Sequence, residues 1–244
     1  MGSIGRPSVL IVPGACSTPG FYEPFVAAVR EKGYEIETVH IPSTNYEGRI
    51  KGVQAPSMSD DVAMVQARIA ELADAGKDVV LMTHSYGGTP GTQSVEGFGK
   101  KERQSRGLKG GVVGLAYMCS LIPELGRGLD VPHRHPPLAR LCFTSLPRGK
   151  GEHWAARLTR HSYPSFTTPM TYQGFKDVPV SYLFCERDLT VPPGIQQAGI
   201  DMVERVTGAR VDVTRVNCDH VAPFSDTPTC VDWIVGVADR LEKM

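Results

Sequence analysis

Val79-Val80-Leu81-Met82-Thr83-His84-Ser85-Tyr86-Gly87-Gly88 is the stretch on which the reading of the chain turns. An apolar run leads in, and small, turn-forming residues lead out. The run predicts a buried strand over Asp78 to Met82. A serine at a sharp strand-to-helix turn is held clear of the backbone, its hydroxyl free to attack a carbonyl. Beyond it, Tyr86 to Phe98 should be helical. Gly87, Gly88, Pro90 and Gly91 are poor helix formers, so tight packing or close backbone approach must account for them.

Working outward toward the N-terminus, Ser8 to Val12 is a continuous apolar run stopped by Pro13-Gly14, a strand buried on both faces. Pro19 to Lys32 reads as a helix ended by Gly33. Tyr34 to Val39 alternates as a strand does, and residues 41–56 form a loop. Met58 to Ala75 is a helix. Ser57 or Ser59 can cap it, and Asp60 and Asp61 sit in its positive first turn. Val62, Val65, Ile69 and Leu72 share one face.

Toward the C-terminus, Gly111 to Met118 is a strand. After an interruption come a strand Val180 to Phe184, a helix near Pro192 to Val206, a strand Val211 to Val216 and a helix Thr227 to Glu242. Six strands separated by helices imply an α/β fold, with a doubly wound, mostly parallel six-stranded sheet covered on both faces. Such sheets place their sites beyond the carboxyl ends of the strands, where strand order reverses. Gly14-Ala15 and Ser85 both follow strands on that edge.

The interruption, residues 127–176, is about 50 residues rich in proline and aromatics, too long for an ordinary loop. It reads as an inserted lid, with a short helix over Gly151 to Arg160, between core segments 1–126 and 177–244. Its arginines include Arg134, Arg140, Arg148, Arg157 and Arg160. Lys100 to Lys109 is a basic run that reads as a solvated connector rather than an anionic docking patch, because the chain as a whole is neutral.

That neutrality, 26 basic against 26 acidic side chains, argues against nucleic-acid binding and against a charged membrane surface. Six scattered cysteines lack zinc spacing, so no metal or other cofactor is expected. No run approaches the roughly 20 apolar residues needed to span a bilayer. The first residues resemble neither a signal peptide nor a myristoylation site, having Arg6 where Ser or Thr is needed. The expectation is a cytoplasmic chain acting on a small molecule, with a homodimer left open.

A serine hydroxyl needs a base, the base needs an orienting group, and the tetrahedral intermediate needs oxyanion donors. Of seven histidines, only His220 follows a strand onto the edge that carries Ser85. His40, His133, His135, His153 and His161 follow none, and His84, beside the serine, should point away from it. Asp188, after Val180 to Phe184, suits the order Ser, acid, His. Glu186 is a weaker rival, and Asp219 adjoins the histidine too closely to reach its far nitrogen. The oxyanion donors expected from this geometry are the N–H groups of Tyr86 and Ala15, with Gly14 allowing close approach. Cys16, Phe143, Trp154, Phe166 and Val221 are candidates for the substrate pocket. A phosphate-binding glycine loop is not supported, since neither G-x-G-x-x-G nor a P-loop lysine is present.

Val12-Pro-Gly-Ala-Cys16, His84-Ser-Tyr-Gly-Gly88, Tyr182-Leu-Phe-Cys-Glu-Arg-Asp188 and Asp219-His-Val-Ala-Pro223 resemble the α/β-hydrolase fold superfamily over nearly the whole chain. Within it the chain is similar to plant methylesterases and hydroxynitrile lyases, and more so to fungal salicylate-esterase-like hydrolases. The resemblance implies Ser85 as nucleophile, His220 as base, Asp188 as orienter, and Ala15 with Tyr86 as oxyanion hole. Two departures stand out. Thr83 replaces the first glycine of G-x-S-x-G and should crowd the elbow, and Pro13 replaces the usual histidine. The lyases carry a threonine at the position of Gly14 and a lysine after the catalytic histidine, where this chain has Val221.

The expected activity is therefore hydrolysis of an ester or thioester of a small to medium apolar metabolite through an acyl-enzyme on Ser85. The alternatives are cyclisation, elimination or carbon–carbon cleavage in secondary metabolism at the same site, or a non-catalytic ligand receptor on a hydrolase scaffold.

Overall fold

The computed structural model describes residues 5–46, 54–129 and 139–243. In chain order the elements are β1 (Ser8–Val12), α1 (Pro19–Glu31), β2 (Ile36–Thr38), α2 (Met58–Asp74), β3 (Asp78–His84), α3 (Gly88–Gln93), α4 (Lys100–Ser105) and β4 (Gly111–Met118). They continue as α5 (Ala139–Cys142), α6 (Arg148–Ala155), α7 (Tyr163–Thr167), β5 (Val180–Cys185), α8 (Pro193–Thr207), β6 (Asp212–Val216), α9 (Ala222–Ser225) and α10 (Thr227–Glu242).

The six strands form one sheet in the order β2-β1-β3-β4-β5-β6, with every neighbouring pair parallel. Strand order reverses between β1 and β3, so the loops leaving these two strands flank a crevice at the carboxyl edge. Ser85 leaves β3 there, and Gly14 leaves β1.

Alternate strand residues feed two separate cores. Val9, Ile11, Val80 and Met82 pack with α1 and α10 through Phe21, Phe25, Trp233 and Ile234. Leu10, Val12, Val79 and Leu81 pack on the other face with α2 and α8 through Val65, Ile69, Ile200 and Val203. Burial on both faces explains why these strands read as unbroken apolar runs.

The sequence expectations differ from the structure in several places. The helix expected over Tyr86 to Phe98 is a 3₁₀ turn at Ser85–Gly87 followed by the short α3. The glycines are required by close approach. A Cβ on Gly87 would lie 2.3 Å from the Val12 carbonyl oxygen, and one on Gly88 2.3 Å from that of Leu121. The basic run is not a plain connector. Its first half is α4, in which the buried Arg103 pairs with Asp74 at 2.6 Å and Lys100 with Asp78 at 2.6 Å. Asp60 and Asp61 both lie in the first turn of α2, as expected; Asp60 accepts the Ser57 N–H, and Asp61 is turned inward and fully buried.

Between β4 and β5 the described part of the insertion consists of three short helices, α5 to α7, and a 3₁₀ turn at Gly174–Lys176. The short helix expected over Gly151 to Arg160 lies at Arg148–Ala155. His133, Arg134 and His135 lie outside the described residues, as does the side chain of Arg140. No helix among the described residues is long and apolar enough to cross a membrane. All six cysteines are free thiols.

Candidate active site

Ser85 occupies the turn after β3 with φ 54°, a left-handed conformation that costs a non-glycine residue strain and that the packed surroundings must enforce. Those surroundings are specific. Thr83, expected to crowd the turn, is accommodated because Gly91 faces it. A Cβ on Gly91 would stand 2.5 Å from the Thr83 methyl carbon. The Thr83 hydroxyl meets the Ser120 hydroxyl at 2.8 Å, so its polar end is satisfied. Gly14 makes room on the other side, where a Cβ would fall 3.2 Å from that of Ser85 and 2.9 Å from His84 Nδ1.

His220 follows β6 and is buried. Its Nδ1 lies 2.7 Å from Asp188 Oδ2. Asp188 is itself fixed, its Oδ1 accepting the Thr190 and Val191 N–H groups at 2.7 and 2.8 Å. Glu186 is exposed. Asp219 turns from the ring and accepts the Ser145 N–H at 2.6 Å and the Ser225 hydroxyl at 2.6 Å. Ser85 and His220 open into the same cavity, but no hydrogen bond joins the Ser85 hydroxyl to the imidazole.

His84 runs beneath the site. Its Nε2 lies 2.8 Å from the His220 carbonyl, which can only accept, so Nε2 carries the proton. Its Nδ1 therefore accepts from the Tyr22 hydroxyl at 2.6 Å, and that hydroxyl in turn accepts the Gly14 N–H at 2.9 Å. Burial, with His220 alongside, holds the His84 pKa down to about 3, so the ring stays neutral. Because Tyr22 takes the Gly14 N–H, that group is unavailable to an oxyanion. The N–H groups of Ala15 and Tyr86 are taken by no hydrogen bond among the described residues. The Tyr86 ring is anchored by its hydroxyl, which donates to Asp61 at 2.6 Å. Asp61 also accepts the Ser43 N–H and hydroxyl, while its burial raises its pKa.

The cavity has a volume of about 1180 Å³. Its walls include Cys16, Phe143, Phe166 and Val221. Trp154 is behind the wall, its ring packed on Phe21 and Phe224 at centroid distances of 5.6 and 4.3 Å. His161, which no strand introduces, also faces the cavity. The only sequence hint of it is Ser165 four residues on, at helical spacing. Ligand-type atoms of His84, Cys119 and His220 lie within 4.8 Å of one another. Both His84 nitrogens are engaged, however, Cys119 Sγ donates to the His220 carbonyl, and His220 Nδ1 faces Asp188. One ring nitrogen, His220 Nε2, is left open, which is a proton-transfer arrangement and too few donors for a metal.

Residues 9–231 match the alpha/beta hydrolase family. The chain belongs to that family. As an α/β hydrolase it is 28% identical over 251 residues to the "Probable hydrolase R7" of Phoma sp., covering 96% of this chain and 98% of that one. It is 28% identical over 246 residues to the "Alpha/beta hydrolase nvfD" of Aspergillus novofumigatus, covering 93% and 94%. Among solved structures, an extracellular α/β-hydrolase from a Paenibacillus species, described as homologous to tobacco salicylic acid binding protein 2, superposes with a TM-score of 0.73. It is 14% identical and covers 95% of this chain and 99% of that one, a likeness of fold.

Proposed function

We propose that this α/β hydrolase cleaves an ester or thioester of a small to medium apolar metabolite through an acyl-enzyme on Ser85. The observation that carries the reading is the buried His220–Asp188 pair at 2.7 Å, whose histidine opens into the same cavity as a serine held at positive φ. Ser85 Oγ bonds to the carbonyl carbon while its proton passes to His220 Nε2, and Asp188 stabilises the resulting imidazolium. The oxyanion rests on the Ala15 and Tyr86 N–H groups. His220 returns the proton to the departing alcohol or thiol. It then takes one from water, which attacks the acyl carbon, releases the acid and restores Ser85.

The cavity volume lies just above the usual range of about 300–1,000 Å³ for small-molecule sites, which favours a substrate with several rings or a long chain. In this reading residues 127–176 act as a cap over the site. Both curated relatives are fungal proteins with hydrolase names, in keeping with a metabolite substrate. The Ser85→Ala variant is expected to abolish p-nitrophenyl acetate turnover and labelling by a fluorophosphonate probe. Undiminished turnover in that variant would sink the acyl-enzyme and leave acid–base chemistry by His220.

A further inference from the structure

The loop that supplies the Ala15 N–H is held from outside the core. Cys16, next in the chain, sits at φ 65°, another left-handed non-glycine position. Its N–H donates to His161 Nδ1 at 3.3 Å. Its carbonyl accepts the Thr159 N–H at 2.7 Å and the Thr159 hydroxyl at 3.1 Å. The peptide groups on both sides of Cys16 are thus tied to the segment between α6 and α7.

The His161 tautomer follows from its partners. An N–H can only donate, so Nδ1 must present a lone pair to Cys16, and the Thr44 hydroxyl approaches the same atom at 3.3 Å. The ring proton is then on Nε2, 3.0 Å from Ser165 Oγ. Ser165 can accept it because its own hydrogen goes to the Ser162 carbonyl at 2.7 Å. Burial lowers the His161 pKa to about 3, which keeps that lone pair available at neutral pH. The ring also meets Tyr86 edge-on at a centroid distance of 4.8 Å and Phe166 at 4.9 Å. One side chain therefore touches both segments that carry free N–H groups, Ala15–Cys16 through a hydrogen bond and Tyr86 through its ring.

We propose that His161, a residue of the inserted segment, is a positioning residue for the oxyanion hole: it fixes the Ala15–Cys16 peptide and the Tyr86 ring, so that both N–H donors stay aimed at the developing oxyanion. This rests on the hydrolase reading above. The insertion then does more than cover the pocket, because the core's oxyanion loop depends on it for its conformation. Donors loosened by a fraction of an ångström weaken the transition state while leaving the bound ground state nearly intact.

The test compares wild type with His161→Phe and His161→Gln on p-nitrophenyl acetate. Two matched inhibitors are added, 1,1,1-trifluoro-4-phenylbutan-2-one and 4-phenylbutan-2-one. The first takes up Ser85 Oγ at its carbonyl carbon, passing the serine proton to His220 and forming an oxyanion; the second binds as the intact ketone. In His161→Phe, kcat is expected to fall about 10- to 100-fold with KM little changed, somewhat less than for outright loss of an oxyanion donor. Affinity for the trifluoromethyl ketone should fall by the same factor, and affinity for the plain ketone should hold. Glutamine, whose amide oxygen can accept the Cys16 N–H, should recover most of the loss. An unchanged kcat in His161→Phe, or equal losses for both ketones, overturns the proposal. Should His161→Phe fail to fold, Ser165→Ala decides: it keeps the ring and removes the acceptor that holds its Nε2 proton and orients it. There kcat and trifluoromethyl ketone affinity should drop together, and no change in either overturns the proposal. A wild-type chain with neither turnover nor fluorophosphonate labelling defeats the hydrolase reading and this inference with it. An active wild type with unaltered variants defeats this inference alone.

Discussion

Tyr22 shows how much of the site rests on one buried atom. Its hydroxyl accepts the Gly14 N–H at 2.9 Å and donates to His84 Nδ1 at 2.6 Å, and His84 in turn donates to the His220 carbonyl. The β1 loop, the residue before the serine and the histidine loop are therefore joined in one chain of hydrogen bonds. Because each group has a defined role as donor or acceptor, the chain has a single consistent proton arrangement. Tyr22→Phe removes the middle link and leaves a buried N–H and a buried ring nitrogen unpaired. Chemical denaturation should show a loss of about 1–3 kcal/mol, the usual penalty for unsatisfied buried polar groups. Ester turnover should fall as well, because the Pro13–Gly14 peptide, next to the Ala15 donor, loses an anchor. A stability equal to wild type would mean that water or a local shift replaces the hydroxyl. This chain was not legible in the sequence. Tyr22 lies there inside a stretch that reads only as a helix, and a helix pattern does not report what a buried hydroxyl meets.

At the level of elements, the turn after β3 shows two sequence peculiarities explaining each other. Thr83 in place of glycine and Gly91 inside a helix each look unfavourable alone. Together they fit, because the Thr83 methyl fills the space that a Gly91 Cβ would occupy, with only 2.5 Å between them. Gly91→Ala alone should overpack this contact and cost about 1–3 kcal/mol, despite the better helix propensity of alanine. Thr83→Ser deletes the same methyl and keeps the hydroxyl that meets Ser120. The double variant should therefore recover most of the stability lost by Gly91→Ala. Urea unfolding of the four proteins measures the coupling, and purely additive effects would refute it. The same turn shows where pattern reading is weak. The strands were legible because burial on both faces writes them as apolar runs, and α2 because its cap and apolar face agree. The helix after Ser85 was overextended and α4 was missed, since one is shaped by contacts with Val12 and Leu121 and the other by burial of Arg103 against Asp74.

Across the whole molecule, the part of the candidate site legible in the sequence comes from the core, where Ser85, Asp188 and His220 each follow a strand and topology alone brings them to one edge. The part not legible came from the insertion, whose His161 and Ser145 reach the core through loops without periodicity. Both His84, from the core, and His161, from the insertion, are held neutral, with pKa values lowered from 6.5 to about 3 by burial. An unfolded chain protonates both near pH 6.5. Between about pH 6.5 and 3 the unfolded state thus binds more protons than the folded one, and stability falls as pH falls through this window. Between pH 7 and 5 each histidine should withdraw about 2 kcal/mol. Asp61 works in the opposite sense, since its raised pKa lets the folded state take up a proton before the unfolded one does. The histidine losses accumulate through this window, and Asp61 subtracts from them. Glu35 and Asp60, with lowered pKa values, add theirs only below the ordinary carboxylate range. The midpoint of urea unfolding should therefore drop steeply between pH 7 and 5, and His161→Phe, if folded, should show a shallower slope. A midpoint that is flat over this range would mean that both rings take up their protons in the native state, which would break the His84 link to Tyr22 and the His161 link to Cys16, or that Asp61 offsets both.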